Sequence, residues 1–178
     1  MPGVRLEVMI EADRPGALGP DDLEVLALSA WWVGRQDIAR EAWERAYTLL
    51  AKAGDKLAAA NAAAQSAFNL LGAGLPSVLN GWVHRAERLL EGAPEQPVHA
   101  LLSLARGMMA FTRGDLDTAA AAGRRALELG TAFGVPDLQA LGLHLEGRAL
   151  VAKGRVEEGM ALLDEAAAAA VSGELSPR

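Results

Sequence analysis

The residue types that usually carry enzyme chemistry are present in this 178-residue chain, but they are not spaced for it. His84, His99 and His144 each lack a second histidine four residues away, the spacing that places two metal ligands on one helix face. The serines lack the G-x-S-x-G turn of an activated nucleophile, and there is no cysteine to serve as a thiolate. We therefore predict no metal site, no cofactor and no catalytic residue, and expect that the chain is not an enzyme.

Adjacent carboxylates are a second type of candidate, because paired acids can perform general acid–base catalysis. Asp21–Asp22 and Glu157–Glu158 fall where helices are predicted to begin, and negative charge is favourable at a helix N-terminus. Asp164–Glu165 falls on a predicted solvent-exposed helix face. These positions indicate helix-stabilising and surface roles rather than catalysis.

Charge and hydropathy restrict the possible partners. The formal net charge is −6, and the densest arginine group, between residues 106 and 125, is interrupted by Asp115 and Asp117 and lacks an aromatic stacking platform. Direct nucleic-acid binding is therefore not expected. No apolar run reaches the roughly 18 residues of a membrane-spanning helix. We expect a cytoplasmic protein that does not interact with a membrane.

An internal repeat organises the rest of the sequence. Gly34, Gly74, Gly114 and Gly154 recur every 40 residues, and an alanine follows each of them by twelve residues. Small residues also occupy the position seven residues before each glycine. Glycine after an apolar helical run is where a helix ends and the chain reverses. Each repeat is therefore predicted to be a helix, a glycine turn and a second helix, with the small residues at the contact between the two.

This pattern predicts an all-α fold, an α–α superhelix of four helical hairpins with a 40-residue period. Asp55 and Asp137 are predicted N-cap residues. The predicted helices cover 21–33, 37–53, 56–72, 76–91, 98–113, 116–132, 137–153 and 156–171. They form four repeats, about 21–55, 56–94, 97–134 and 137–172, within one solenoid domain over 21–172.

The two ends depart from the repeat. In residues 1–20, Val4, Leu6, Val8 and Ile10 alternate with mostly polar residues, which is the period of a strand, but no partner strand is predicted. We expect a flexible or loosely docked N-terminal tail over 1–20 and a C-terminal tail over 173–178. The run 167–171 is predicted to leave an apolar end face, a second candidate contact surface.

The order Ala27, Gly34, Ala39, Trp43 and Ala46 resembles the tetratricopeptide signature, although a 40-residue repeat is longer than the usual one. The stretches 26–55 and 147–177 are similar to the superhelical sensor region of large LuxR-type bacterial transcription regulators. The resemblance implies a right-handed superhelix and a sensor or scaffold segment of a bacterial regulatory protein. The chain itself contains no phosphate-binding P-loop and no basic recognition helix after the repeats.

The same resemblance assigns the first helix of each repeat to the lining of a concave groove. The groove residues carried over in this way are mainly aromatic and aliphatic: Trp31, Trp32, Phe68, Leu71, Leu104, Met108, Phe111, His144 and Arg148. An exposed surface of this kind is typical of an interface. Packing of the same side chains into the core is the competing interpretation, and it stays open at this point.

Two functions follow from such a groove. The first is protein–protein interaction, in which the partner is another protein, a flanking domain of the same polypeptide or a second copy in a homodimer. The alternative is a small-molecule effector domain, with an apolar ligand held inside the superhelix beside Trp31, Trp32 and Phe68.

Overall fold

The computed structural model describes residues 2–13, 16–71 and 74–172, and these residues form helices and the turns between them, without a strand. The helices are α1 Pro2–Asp13, α2 Pro20–Trp32, α3 Gln36–Ala53, α4 Lys56–Asn69, α5 Pro76–Leu89, α6 Val98–Thr112, α7 Leu116–Ala132, α8 Pro136–Ala152 and α9 Val156–Val171. The predicted all-α fold is confirmed for these described residues. The predicted C-terminal tail, 173–178, lies outside the described residues.

Local sequence explains where most helices begin and end. The four glycines spaced by 40 residues all adopt positive φ, between 70° and 83°, at the turns that follow α2, α4, α6 and α8. A residue with a side chain is strained in that conformation, which is why glycine ends these helices. Proline occupies the first position of α2, α5 and α8, where its missing N–H costs no hydrogen bond.

Side-chain caps agree only partly with the prediction. Asp55 caps α4 by accepting a hydrogen bond from the Ala58 backbone N–H at 3.0 Å, as expected. The prediction for Asp137 was wrong, because α8 begins at Pro136 and Asp137 lies within its first turn. Asp115 caps α7 instead by accepting a hydrogen bond from the Thr118 backbone N–H. Hydrogen bonding by the Thr118 side chain, and then by its backbone N–H, lowers the pKa of the Asp115 carboxyl.

The chain divides into two compact units, Met1–Ala93 (unit 1) and Pro94–Arg178 (unit 2). In unit 1, each of α1 to α4 packs against the next helix. Its core contains Leu23, Trp43 and a series of fully buried alanines in α4. Trp82, also buried, forms an edge-to-face contact with Tyr47 at 5.0 Å between ring centroids.

In unit 2, α6 packs against α7 and α8, α7 against α8, and α8 against α9. Its large buried side chains are leucines, valine and methionine, such as Val98, Leu129 and Leu145. One carboxylate is buried among them: Glu146 on α8 is 6% exposed. Arg124 on α7 donates to the same Glu146 oxygen from Nε at 3.1 Å and from Nη2 at 2.6 Å, which joins the two helices.

Residues 2–13 form helix α1, whereas a flexible or loosely docked tail was expected for residues 1–20. Leu6 is 5% exposed within the core formed with α2 and α3, whereas Val8 and Ile10 remain exposed. The alternation of apolar residues resembled a strand, but a single strand would leave its backbone hydrogen-bonding groups without partners. A helix pairs those groups internally and still places Leu6 and Met9 on one face against the core.

Candidate functional site

The tryptophan pair at the end of α2 is divided between core and solvent. The rings of Trp31 and Trp32 meet edge to face, with 5.0 Å between centroids. Trp31 is half-buried and packs against the unit 1 core, while Trp32 is 55% exposed and Val33 beside it is 41% exposed. Trp31 therefore anchors the pair, and Trp32 presents an indole ring to solvent.

Phe68 and Leu71 lie at the C-terminal end of α4 in the same unit, and both are half-buried. The Leu71 backbone N–H donates to the Phe68 carbonyl at 3.1 Å, which holds both residues in the turn that closes the helix. Both side chains are therefore partly accessible to solvent, while the turn fixes the backbone that carries them.

In unit 2 the structure brings Phe111 and Arg148 together. The Arg148 guanidinium carbon lies 4.6 Å from the centroid of the Phe111 ring, a cation–π arrangement between α6 and α8. His144 lies one helical turn before Arg148. Desolvation lowers the pKa of His144, and the positive charge of Arg148 lowers it further, so the imidazole is mainly neutral at pH 7.

Met108 and Leu104 precede Phe111 on α6, and they differ in their exposure to solvent. Met108 is half-buried, but Leu104 is only 2% exposed and belongs to the core. Leu104 is therefore not a surface residue of a groove. It shares a helix face with Met108 and Phe111, and that face is buried at Leu104 but partly exposed at the other two positions.

The remaining candidates for chemistry make local contacts. His84 Nδ1 lies 3.3 Å from Glu87 on the same helix, and the His99 ring contacts the Gln96 backbone. Among the described residues, no three histidine, aspartate or glutamate side chains come close enough to share a metal ion. None of the described helices is both long and apolar enough to cross a membrane.

A stacked cation in unit 1 was not identified from sequence. Arg85 lies over the Trp82 ring at 4.5 Å and near the Tyr47 ring at 5.9 Å. Trp82 and Arg85 are three residues apart on α5, a spacing that places both on one helix face and is the signal that sequence reasoning missed. Since Trp82 is buried, the stack stabilises the α3–α5 region rather than forming an open binding surface.

Among the clefts formed by the described residues, two each have a volume of about 260 Å³. One lies in unit 1 between α1 and α3, where Asp13 and Arg45 form its polar part. The other lies in unit 2 between α8 and α9. Neither is lined by Trp31, Trp32 or Phe68, the residues predicted to contact an apolar ligand, and both are smaller than typical ligand pockets of roughly 300–1,000 Å³.

Comparisons with known proteins extend the description of the fold. No family model and no curated protein matches the chain. Among solved structures, the crystal structure of BtubC (BKLC) from P. vanneervenii is similar, with a TM-score of 0.62 and 19% sequence identity. The match covers 99% of this chain and 75% of that chain. At this identity the likeness concerns the helical fold alone.

Proposed function

We propose that this chain is a protein-interaction module of a bacterial regulatory protein, and that it binds a helix or extended segment of a partner protein or of a flanking domain. The observation that carries the proposal is Trp32, which is 55% exposed while its neighbour Trp31 fixes its position. Leaving a large aromatic ring in water is unfavourable, and tryptophan is enriched at the energetic centres of interfaces.

The Phe111–Arg148 pair in unit 2 supports the same function. Stacking on the Phe111 ring limits the conformations of the guanidinium, so less side-chain entropy is lost when a partner binds it. Arginine and aromatic residues are both enriched where proteins meet. The two units would then each offer an aromatic contact point to a partner.

The test compares two exposed apolar residues of unit 1, Trp32 and Leu57, which are 55% and 42% exposed. The wild-type chain, Trp32→Ser and Leu57→Ser are immobilised and exposed to extract of the source cells, with circular dichroism as the check on folding. We expect a specific protein to be retained by wild type and Leu57→Ser and lost with Trp32→Ser. Equal retention by all three would disprove the assignment of Trp32.

Trp31→Ser completes this series. Because Trp31 packs against the core, we expect its replacement to lower the melting temperature, whereas Trp32→Ser leaves it unchanged. A small-molecule effector is tested with the same residues, because all four tryptophans lie in unit 1. The effector function would be favoured over protein binding if a metabolite changed their fluorescence saturably and if Trp31→Ser or Trp32→Ser abolished that change.

The regulatory context is tested separately by the DNA that adjoins the coding sequence. A nucleotide-binding ATPase segment upstream and a helix-turn-helix segment downstream are what the regulator assignment requires. Their absence would remove the regulator assignment and leave the interaction module.

A further inference from the structure

Helix α9 carries an apolar stripe that the described helices leave largely exposed. Helix α9 packs only against α8 among the described elements, through a face that includes the buried Gly159 and Ala166. About 100° around the helix runs a second set of apolar residues, spaced by four, three, four and four residues, which places them on one side. This set is called the α9 stripe: Val156, Met160, Leu163, Ala167 and Val171.

Exposure along the α9 stripe is high. Val156 is 52% exposed, Met160 is 44% exposed and Val171 is 87% exposed, and Ala167 is exposed as well, while Leu163 is half-buried and lies against Gly147 of α8. Apolar residues that continue past the buried face of a helix in this way are the pattern of a helix that packs against two neighbours rather than one. The stripe is therefore a surface for a further helix.

The charge beside the α9 stripe indicates the kind of helix that fits. Glu157 and Asp164 each follow a stripe residue by one position, so both lie along the same border of the stripe, two turns apart. Both are exposed, and no ion pair joins either of them to a basic side chain among the described residues. A partner helix with lysine or arginine beside its apolar face would pair with these two carboxylates.

Unit 1 provides an example of the same kind of contact. There α1 covers α2 and α3 with an apolar residue, Leu6, and an ion pair closes the border of the contact, with Arg45 donating to both oxygens of Asp13. This chain therefore already contains one helix that docks through buried apolar residues with an ion pair at the edge of the contact. The α9 stripe offers an apolar surface of the same kind, with the carboxylates of Glu157 and Asp164 at its edge but without basic partners for them among the described residues.

A second copy of the chain is a poor occupant of this surface. Helix α9 carries Glu157, Glu158, Asp164 and Glu165, and the base that directly precedes it, Arg155, already pairs with Glu158. Two α9 helices in contact would bring these carboxylates together in a protein whose net charge is already −6. We infer that the α9 stripe binds a basic amphipathic helix of another polypeptide, through residues that include neither Trp32 nor Arg148.

Two synthetic helical peptides test the inference against the full chain. Both carry leucines at the spacing of the α9 stripe, one flanked by lysines and the other by glutamates, and each is labelled for fluorescence anisotropy. We expect saturable binding of the lysine peptide that weakens with added salt, and at least tenfold weaker binding of the glutamate peptide. Each exposed ion pair contributes a factor of about two to five, and like charges oppose binding by a similar factor.

Two neighbouring substitutions on α9 give matched variants. Asp164→Lys should weaken binding of the lysine peptide about two- to fivefold or more. In the double variant Asp164→Lys with Glu157→Lys, the glutamate peptide should bind more tightly than the lysine peptide. Glu165→Lys is the control, because Glu165 is equally exposed but points about 100° further around, toward the α8–α9 cleft. Its effect on the ratio of the two affinities should be small.

Three results would overturn the inference: no saturable binding of the lysine peptide, equal binding of both peptides, or an equal effect of Glu165→Lys and Asp164→Lys. A fourth such result could come from sedimentation velocity. If the wild-type chain self-associates and Met160→Glu makes it monomeric, a second copy occupies the stripe and the assignment of a basic helix as its partner is wrong. Trp32→Ser should leave peptide binding unchanged, so the outcome is independent of the proposed Trp32 surface.

Discussion

The two units pack their helices with different residues. In unit 1 the contacts are made by alanine and by large aromatic side chains, with Trp43 and Trp82 both buried. In unit 2 the buried side chains are aliphatic, and glycines inside the helices also bring the helix backbones into close contact. A Cβ atom at Gly142 on α8 would lie 2.6 Å from the Leu127 backbone nitrogen, and one at Gly123 would lie 2.6 Å from that of Glu146. Helices with the same repeat pattern therefore pack in two ways: through side chains in unit 1, and also through close backbone contacts in unit 2.

This difference changes what each unit tolerates. Unit 1 derives its stability from large buried apolar areas, which scale with the size of the side chains. Unit 2 depends on close approach of α7, α8 and α9, where dispersion contacts are dense and there is no room for an added methyl group. The tryptophans all lie in unit 1, so fluorescence reports unfolding of that unit, whereas circular dichroism reports both.

The largest effect is expected at a position that the two units share. Ala46 in unit 1 and Ala126 in unit 2 occupy the same place in the repeat, twelve residues after Gly34 and Gly114, and both are fully buried. Ala46→Glu or Ala126→Glu adds volume and a buried carboxylate, which together cost at least about 3 kcal/mol. Urea unfolding followed by circular dichroism measures the loss.

Ala121→Glu is the control for this pair, because Ala121 lies on α7 with Ala126 but is exposed. Its effect should stay within about 0.5 kcal/mol. If Ala46→Glu were tolerated while Ala126→Glu unfolded unit 2, the two units would not share the repeat position, and the equivalence between them would be wrong.

A glycine-to-alanine substitution should have opposite signs in the two units. Gly142→Ala places a methyl group against backbone atoms of α7, and we expect a loss of about 1–3 kcal/mol. Gly81→Ala, inside α5 of unit 1, meets no atom within 4 Å, so the higher helix propensity of alanine should stabilise by up to about 1 kcal/mol. Thermal melts of both variants by circular dichroism provide the comparison, and a stabilising Gly142→Ala would contradict backbone-on-backbone packing in unit 2.

Sequence predicted the helices better than it predicted exposure. The predicted helix at 37–53 is observed as Gln36–Ala53 and that at 156–171 as Val156–Val171, because apolar spacing and glycine turns act locally. Helix α1 was missed because the burial of Leu6 depends on α2 and α3, which are distant in sequence. Its residues alternate in polarity, which favoured the wrong period.

Predictions for the groove residues had the same limitation. Trp32 and Leu104 were assigned to one surface, yet one is exposed and the other is in the core, since neighbouring helices decide the exposure of each. The Phe111–Arg148 contact joins residues 37 positions apart, and no local pattern indicates it. Equivalent positions in a repeat therefore indicate which face of a helix a side chain lies on. They do not indicate whether that side chain is exposed to solvent.

The smallest expected effect concerns the ion pair that docks α1 on unit 1, the contact that α9 of unit 2 lacks. Hydrogen bonds from Arg45 to Asp13, one of them 2.9 Å long, lower the pKa of the Asp13 carboxyl. An unfolded aspartate titrates near its ordinary pKa of about 4, so the folded state binds fewer protons below that pH. The contribution of the pair is therefore present above about pH 4 and is lost as the pH falls toward the lowered pKa of Asp13. Asp13→Asn should cost about 1 kcal/mol at pH 7, between the values for exposed and buried charged pairs, and clearly less near pH 3.

Asp37→Asn is the control, because the Asp37–Arg35 pair is exposed and its removal should have no measurable effect at either pH. Urea unfolding followed by tryptophan fluorescence isolates unit 1, and an equal loss for Asp13→Asn at both pH values would show that α1 is held by Leu6 and its apolar neighbours without a contribution from the charge.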